Sequence, residues 1–243
     1  MGSADWSIGV GGAAEVGHGA FQNSNVPTQQ LTHDIWCRQI DNPGSTQYGR
    51  VVFRYNGPDA AEFTTARDSS VRGALALGIR GHNHSVGIGA RIGGGVPTTP
   101  LNKPFFSLNG YQLLLEEDGS NWIVSLYRVT AGAGSALWAN SPVAGASGEY
   151  RWFHLRLDCL LQPNGDVTLQ VYQNDIVANP IVPPTSPSTW VKISPDISDL
   201  AVNVPAYGNV GFGGQVDPDP GGGGGTGLVD ESYVDWIEVF HSV

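Results

Sequence analysis

The chain has 243 residues, of which 40% are hydrophobic and only 14% charged, with 34 glycines, 16 prolines and a formal net charge of −10. That balance excludes a basic nucleic-acid surface, since binding a phosphate backbone needs clustered Lys and Arg. No run approaches 18 apolar residues, which excludes a membrane-spanning helix.

Glycine and proline spread along the whole length imply many strands joined by many turns, and a chain of this size reads as one domain over residues 1–243. Residues 1–50 are a candidate N-terminal extension or arm packed on that domain. The opening "MGSADWSIGVGGAAEVGHG" lacks the basic start and apolar stretch of a signal peptide, so synthesis and folding in the cytosol are expected. "GRVVFRYNG" (49–57) sets Val51, Phe53 and Tyr55 against Val52 and Arg54 and stops at Asn56-Gly57-Pro58. Residues 71–95 read as two strands around the turn Gly81-His82-Asn83-His84-Ser85. In 110–132, Tyr111, Leu113 and Leu115 alternate, Glu117-Asp118-Gly119-Ser120 turns, and Trp122, Val124 and Leu126 return.

The clearest hairpin is 150–175. Phe153, Leu155, Leu157 and Cys159 share one face, Pro163-Asn164-Gly165-Asp166 turns, and Val167, Leu169 and Val171 share a face on the return. "ISPDISDLA" (193–201) has Pro195 placed to open a short helical turn. "YGNVGFGGQV" and "YVDWIEVF" then close the chain. Five glycines, 221–225, resemble a linker, but the 18 residues after them make one strand, which cannot stand alone. The last strand must pair back into the body, with Ile237 and Val239 facing the core and the glycines in a surface loop between two paired strands. Cys37 and Cys159 are too few for a disulfide scaffold and read as buried free thiols, with a long-range pair as the lesser alternative.

Three stretches, "YQLLLEEDGSNWIVSLYRV", "WFHLRLDCLLQPNGDVTLQVYQND" and "GNVGFGG…YVDWIEVF", resemble the concanavalin A-like lectin/glucanase superfamily. The resemblance covers residues 110–243 and implies an antiparallel jelly-roll β-sandwich. Lectins, glycosidases, lyases and virion parts all use that fold, so function has to be read from the residues.

Glycosidases of the superfamily share an E-x-D-x-x-E strand that puts carboxylates on one face. Here Glu231, Asp235 and Glu238 have another spacing, and Asp235 and Glu238, three apart, should face opposite ways. Glu116-Glu117-Asp118 reads as a solvated turn. His82 and His84 lack a third metal ligand nearby, and Asp217 and Asp219 initiate Asp-Pro turns outside any calcium-loop register. No catalytic residue, metal or cofactor is therefore expected. A ligand surface is expected on the polar face of the 150–175 hairpin, at Trp152, His154, Arg156 and Asp158 with Tyr172 across from them, where rings and charges recur at strand spacing. The functional expectation is a non-catalytic structural or adhesive virion protein, such as a capsid decoration or fiber-like module. Its expected partners are capsid proteins or copies of itself, with a cell-surface glycan as a further candidate. The alternative is a soluble carbohydrate-binding module or a divergent glycan-active enzyme.

Overall fold

A computed structural model describes residues 6–11, 14–19, 34–39, 49–64, 68–77, 85–96, 105–118, 121–140, 152–174, 189–203, 208–216 and 231–242. With strands numbered in chain order, one sheet of seven runs β1 (Trp6–Gly11), β4 (Gly49–Tyr55), β14 (Asn209–Val216), β6 (Ser85–Gly93), β7 (Asn109–Asp118), β8 (Asn121–Thr130) and β9 (Ala133–Asn140). The facing sheet of eight runs β12 (Val191–Lys192), β11 (Val167–Asn174), β10 (Trp152–Leu161), β5 (Asp68–Leu77), β15 (Glu231–Ser242), β3 (Asp34–Gln39) and β2 (Ala14–Gly19), and β13 (Ile197–Asp199) also pairs β11. The pairings are antiparallel, and no described residue is in an α-helix. The fold is an all-β antiparallel sandwich of the jelly-roll type.

The expected alternation produces its core. Val51 and Phe53, Tyr111 to Leu115, Trp122 to Leu126, Phe153 to Cys159 and Val167 to Val171 all send alternate side chains into one cluster between the sheets. Phe53 stacks on Phe212 with ring centres 4.5 Å apart. Cys159 is free and buried there, and burial pushes its thiol up to about 11. The side chain of Cys37, the residues His82, His84, Asp217 and Asp219, and the pentaglycine lie outside the described residues.

Four expectations are corrected. β5 and β6 are not a hairpin. They lie in opposite sheets, each in the middle of its sheet, and alternation gives the inward face of a strand but not its sheet, so it could not pair them. The loop before β15 likewise joins strands of opposite sheets, because β14 belongs to the seven and β15 to the eight. Residues 197–199 are strand rather than helix, since Ile197 pairs Leu169 and Asp199 pairs Val167, and the helical turn comes later, as a 3-10 turn at Ala201–Asn203. Finally, Glu116 is not in a solvated turn. β7 continues to Asp118, and Glu116 is buried and accepts a hydrogen bond from Tyr127 Oη at 2.8 Å.

The outer face of the seven-stranded sheet carries a second, smaller apolar cluster. Gly213 and Gly87 lie in one cross-strand row, Gly211 and Gly89 in the next. Phe106 rests on this stripe, and a Cβ at Gly213 would come within 2.6 Å of its ring. Phe105 sits beside it under β9, edge-on to Tyr127 with centres 5.1 Å apart. This face is therefore occupied by the protein's own side chains.

Candidate functional site

The hairpin singled out by the sequence places its polar residues on the outer face of the eight-stranded sheet, because Phe153, Leu155 and Leu157 take the inner one. The registers carry each position across the neighbouring strands. One row reads Glu238–Arg72–Arg156–Tyr172–Lys192, and the next reads Phe240–Ser70–Asp158–Gln170. Arg72, Glu238 and Phe240 thus join the expected residues through pairing that sequence spacing does not show.

Each cation in the row is held by an acid. Arg156 donates both edges of its fork to Asp158, at 2.7 and 2.5 Å, while its guanidinium lies 4.9 Å from the centre of the Tyr172 ring. Arg72 donates to Glu238 at 2.7 Å and lies over Phe240, at 4.8 Å, and Trp190, at 5.8 Å. Lys192 pairs with Asp196, which also accepts from Gln170 at 2.5 Å. Arg156, Asp158, Asp68, Ser70 and Phe240 line an open cleft of about 180 Å³. Phe240, 46% exposed, is its accessible ring.

Beside the cleft the same face turns aromatic. Trp152 packs against Tyr233 at 6.4 Å, and His154 against Trp236 at 5.1 Å and Trp190 at 6.3 Å. The strand between them supplies only Ala74 and Ala76 at these rows, which leaves room for the rings. Trp236 reaches this face from the register shift between Val234 and Ile237, so strict alternation fails there. The expectation for Asp235 and Glu238 rested on that alternation; Glu238 lies on the outer face, and the side chain of Asp235 lies outside the described residues. Trp152 and His154 are each 4% exposed and Asp158 5%, so of the five expected residues only Arg156 and Tyr172 are in partial contact with solvent.

Among the described residues the indole N–H groups of Trp152, Trp190 and Trp236 are buried without a hydrogen-bond partner. Asn174, opposite His154 in the register, donates to the Thr189 carbonyl at 2.8 Å, and its side chain also hydrogen-bonds the imidazole. Unmet buried polar groups cost about 1–3 kcal/mol each. Burial pushes His154 down to about 4, against a hydrogen bond with the Asn174 side chain that acts the other way, and the charge of Arg72 adds to the lowering. The folded pKa lies below the unfolded one, so the histidine's contribution is full above about pH 6.5 and is lost as pH falls towards 4, by about 3 kcal/mol in all. Thermal melts between pH 7 and 4 should show wild type losing more stability than His154→Phe. Parallel curves for the two proteins would refute the neutral, buried imidazole.

Among the described residues no group of three His, Cys, Asp or Glu side chains could hold a metal ion. Asp158 and Glu238 are each engaged by an arginine.

No protein-family model and no curated protein matches the chain. Among solved structures it is similar to the metal-free carbohydrate recognition domain of Emp46p, at 10% identity and a TM-score of 0.48 over 95% of this chain and 89% of that one. It is similar to carbohydrate-binding module CBM66 from Bacillus subtilis, at 8% identity and a TM-score of 0.42 over 95% and 96% of the two chains. A third similar structure is the CBM2 module of the evolved Dit protein of Lactobacillus casei BL23 phage J-1, at 8% identity and a TM-score of 0.44 over 93% and 90%. The jelly-roll assignment stands on the strand order and registers.

Proposed function

We propose that the chain is a non-catalytic binding module for a neutral, hydroxyl-rich glycan, and that it serves as an adhesive or decorating component of a virion. The observation that carries the glycan reading is the outer face of the eight-stranded sheet, where the Arg156–Asp158 cleft holds the exposed Phe240 ring and the Arg156 guanidinium lies over the part-exposed Tyr172 ring. Sugars present C–H faces to rings and hydroxyls to planar polar groups, and this surface offers both. Neutrality follows from the charges, because Arg72, Arg156 and Lys192 are each already paired with a carboxylate. The virion role is supported by the weakly charged, glycine-rich composition; the capsid partners, the one-domain reading of 1–243 and the virion location belong to the same proposal.

A glycan array should give a neutral-sugar hit that weakens about tenfold or more in Phe240→Ala, at an unchanged melting temperature, and in Arg156→Ala, which also lowers the melting temperature because it leaves the buried Asp158 without its counter-charge. Binding untouched by both changes would move the site elsewhere. The same preparation should release no reducing sugar from β-glucan; release that disappears in Glu238→Gln would make the chain an enzyme. Ordered copies on the source particle, seen by electron microscopy, would test the virion role, and their absence would leave the soluble binding module.

A further inference from the structure

The sequence contains three Asn-Gly pairs, at 56–57, 109–110 and 164–165. In such a pair the glycine nitrogen can reach the asparagine amide carbon, because glycine adds no Cβ to hinder ring closure and leaves the backbone free to turn. Hydrogen bonding decides which of the three can react. Asn109 is 8% exposed, and its Oδ1 accepts from the Ala131 N–H at 2.9 Å. Asn164 is exposed, but its amide bridges to Asp166 at 2.7 and 3.1 Å, and the Gly165 N–H donates to the Gln162 carbonyl at 2.9 Å. Asn56 is exposed, and among the described residues neither its amide nor the Gly57 N–H has a hydrogen-bond partner. Gly57 is held as glycine by its surroundings. A Cβ there would lie 2.1 Å from Tyr55 Oη, which donates to Asp59 at 2.6 Å.

Two residues before Asn56, on the outer face of the seven-stranded sheet, stands a cation without an acid. Arg54 alternates with the inward Phe53 and Tyr55, and its Nε and Nη2 are buried with no hydrogen-bond partner among the described residues. Burial works against its charge and holds its pKa below the ordinary arginine value. In Arg156 the same two atoms are filled. They donate to the two carboxylate oxygens of Asp158, at 2.7 and 2.5 Å, and Asp158 follows Arg156 by two residues. Residue 56 stands at that spacing from Arg54, but as an amide. An amide offers one acceptor and turns its NH2 towards the second N–H of the fork, whereas a carboxylate offers an acceptor to each.

We propose that Asn56–Gly57 deamidates spontaneously and that the carboxylate formed at position 56 closes on the Arg54 fork. The Gly57 nitrogen, its proton lost to hydroxide, bonds to Asn56 Cγ, and the Cγ–Nδ2 bond breaks to release ammonia, which takes its proton from water. A second water then opens the cyclic imide. Opening at Cγ restores the main chain with an aspartate side chain, while opening at the main-chain carbonyl reroutes the chain through Cβ. The first product has the arm of Asp158 and is the one that pairs. In sum, one amide and one water give one carboxylate and one ammonium ion. Arg54 lies on the sheet opposite the glycan face, so the two proposals can fail separately.

Fresh intact protein is kept warm at mildly alkaline pH and digested, and mass spectrometry follows the three Asn-Gly peptides. Asn56 should show the mass change from amide to acid several-fold sooner than Asn109 or Asn164, and sooner still as pH rises. Asn56→Asp, which presets the product, should melt above wild type at low salt, and the gain should vanish on an Arg54→Gln background. Conversion first at Asn109 or Asn164, an Asn56 that stays intact, no gain from Asn56→Asp, or a gain that survives Arg54→Gln would each overturn the proposal.

Discussion

Removal of residues 233–243 is expected to leave a chain that does not fold. β15 is an interior strand, laddered to β5 on one side from Ser232 to Ser242 and to β3 on the other. Truncation at Ser232 strips the hydrogen-bond partners from β5, the middle of the eight-stranded sheet. It also removes the buried Tyr233 and Val234 and the core contacts of Ile237 and Val239. Burying one such side chain is worth about 1.5–3 kcal/mol, so four of them together match the whole stability of an ordinary domain. The tether from His241 to Asp59, 3.0 Å long, goes with them. Deleting Gly221–Gly225 is the matched control. The strands it connects lie in sheets about 10 Å apart, and the nine residues left between Val216 and Glu231 can span about 30 Å. Shortening that loop changes its closure entropy by about 0.4 kcal/mol. Insoluble truncated protein beside a deletion that melts like wild type is the expected pair of results. A cooperative melt from the truncated chain would show that the last strand is dispensable.

What was legible in the sequence was local. Strands with clean alternation, such as Phe153–Cys159 or Tyr111–Leu115, announce both their existence and their inward face, because a two-residue period has one structural meaning. β9 was missed because "AGSALWAN" has no alternation of apolar and polar residues, although its edge position makes alternation unnecessary. The assignment of β5 and β6 to different sheets was also out of reach, since β6 is buried on both faces and the alternation in the first half of β5 marks a face without marking a sheet. The candidate site shows the same limit. Trp152, His154, Arg156, Asp158 and Tyr172 were found because one hairpin carries them. Arg72, Trp190, Trp236 and Phe240 come from other stretches and meet them only through registers across the sheet. Trp236 had a further disguise, a register shift that no composition signal announces. The burial of Trp152 and His154 depends on those same distant rings, so spacing within the hairpin does not show how little of this face meets solvent.

The largest single-residue loss is expected at Asp199, which ties the two sheets together. Asp199 lies on β13, in the eight-stranded sheet, and is 4% exposed. Its carboxylate accepts from Tyr111 Oη at 2.8 Å and from Arg128 at 2.5 Å, both on strands of the seven-stranded sheet. Burial and the neighbouring carboxylate push the Tyr111 phenol far above its ordinary range, so it remains a donor at every relevant pH. Asp199→Ala leaves that hydroxyl buried without an acceptor and Arg128 without its counter-charge. Breaking a buried pair from one side costs about 3–5 kcal/mol, and the partial exposure of Arg128 places this case near the lower figure. For a chain of this length about 3 kcal/mol lowers the melting temperature by roughly 6–12 °C. Tyr111→Phe should cost less, about 1.5 kcal/mol, because it removes one donor while the ion pair survives. In the double variant the Tyr111→Phe step should cost close to nothing, since its partner is already gone. Equal losses from Tyr111→Phe in the two backgrounds would mean that the hydroxyl and the carboxylate do not interact, and the polar tie would then be Asp199–Arg128 alone.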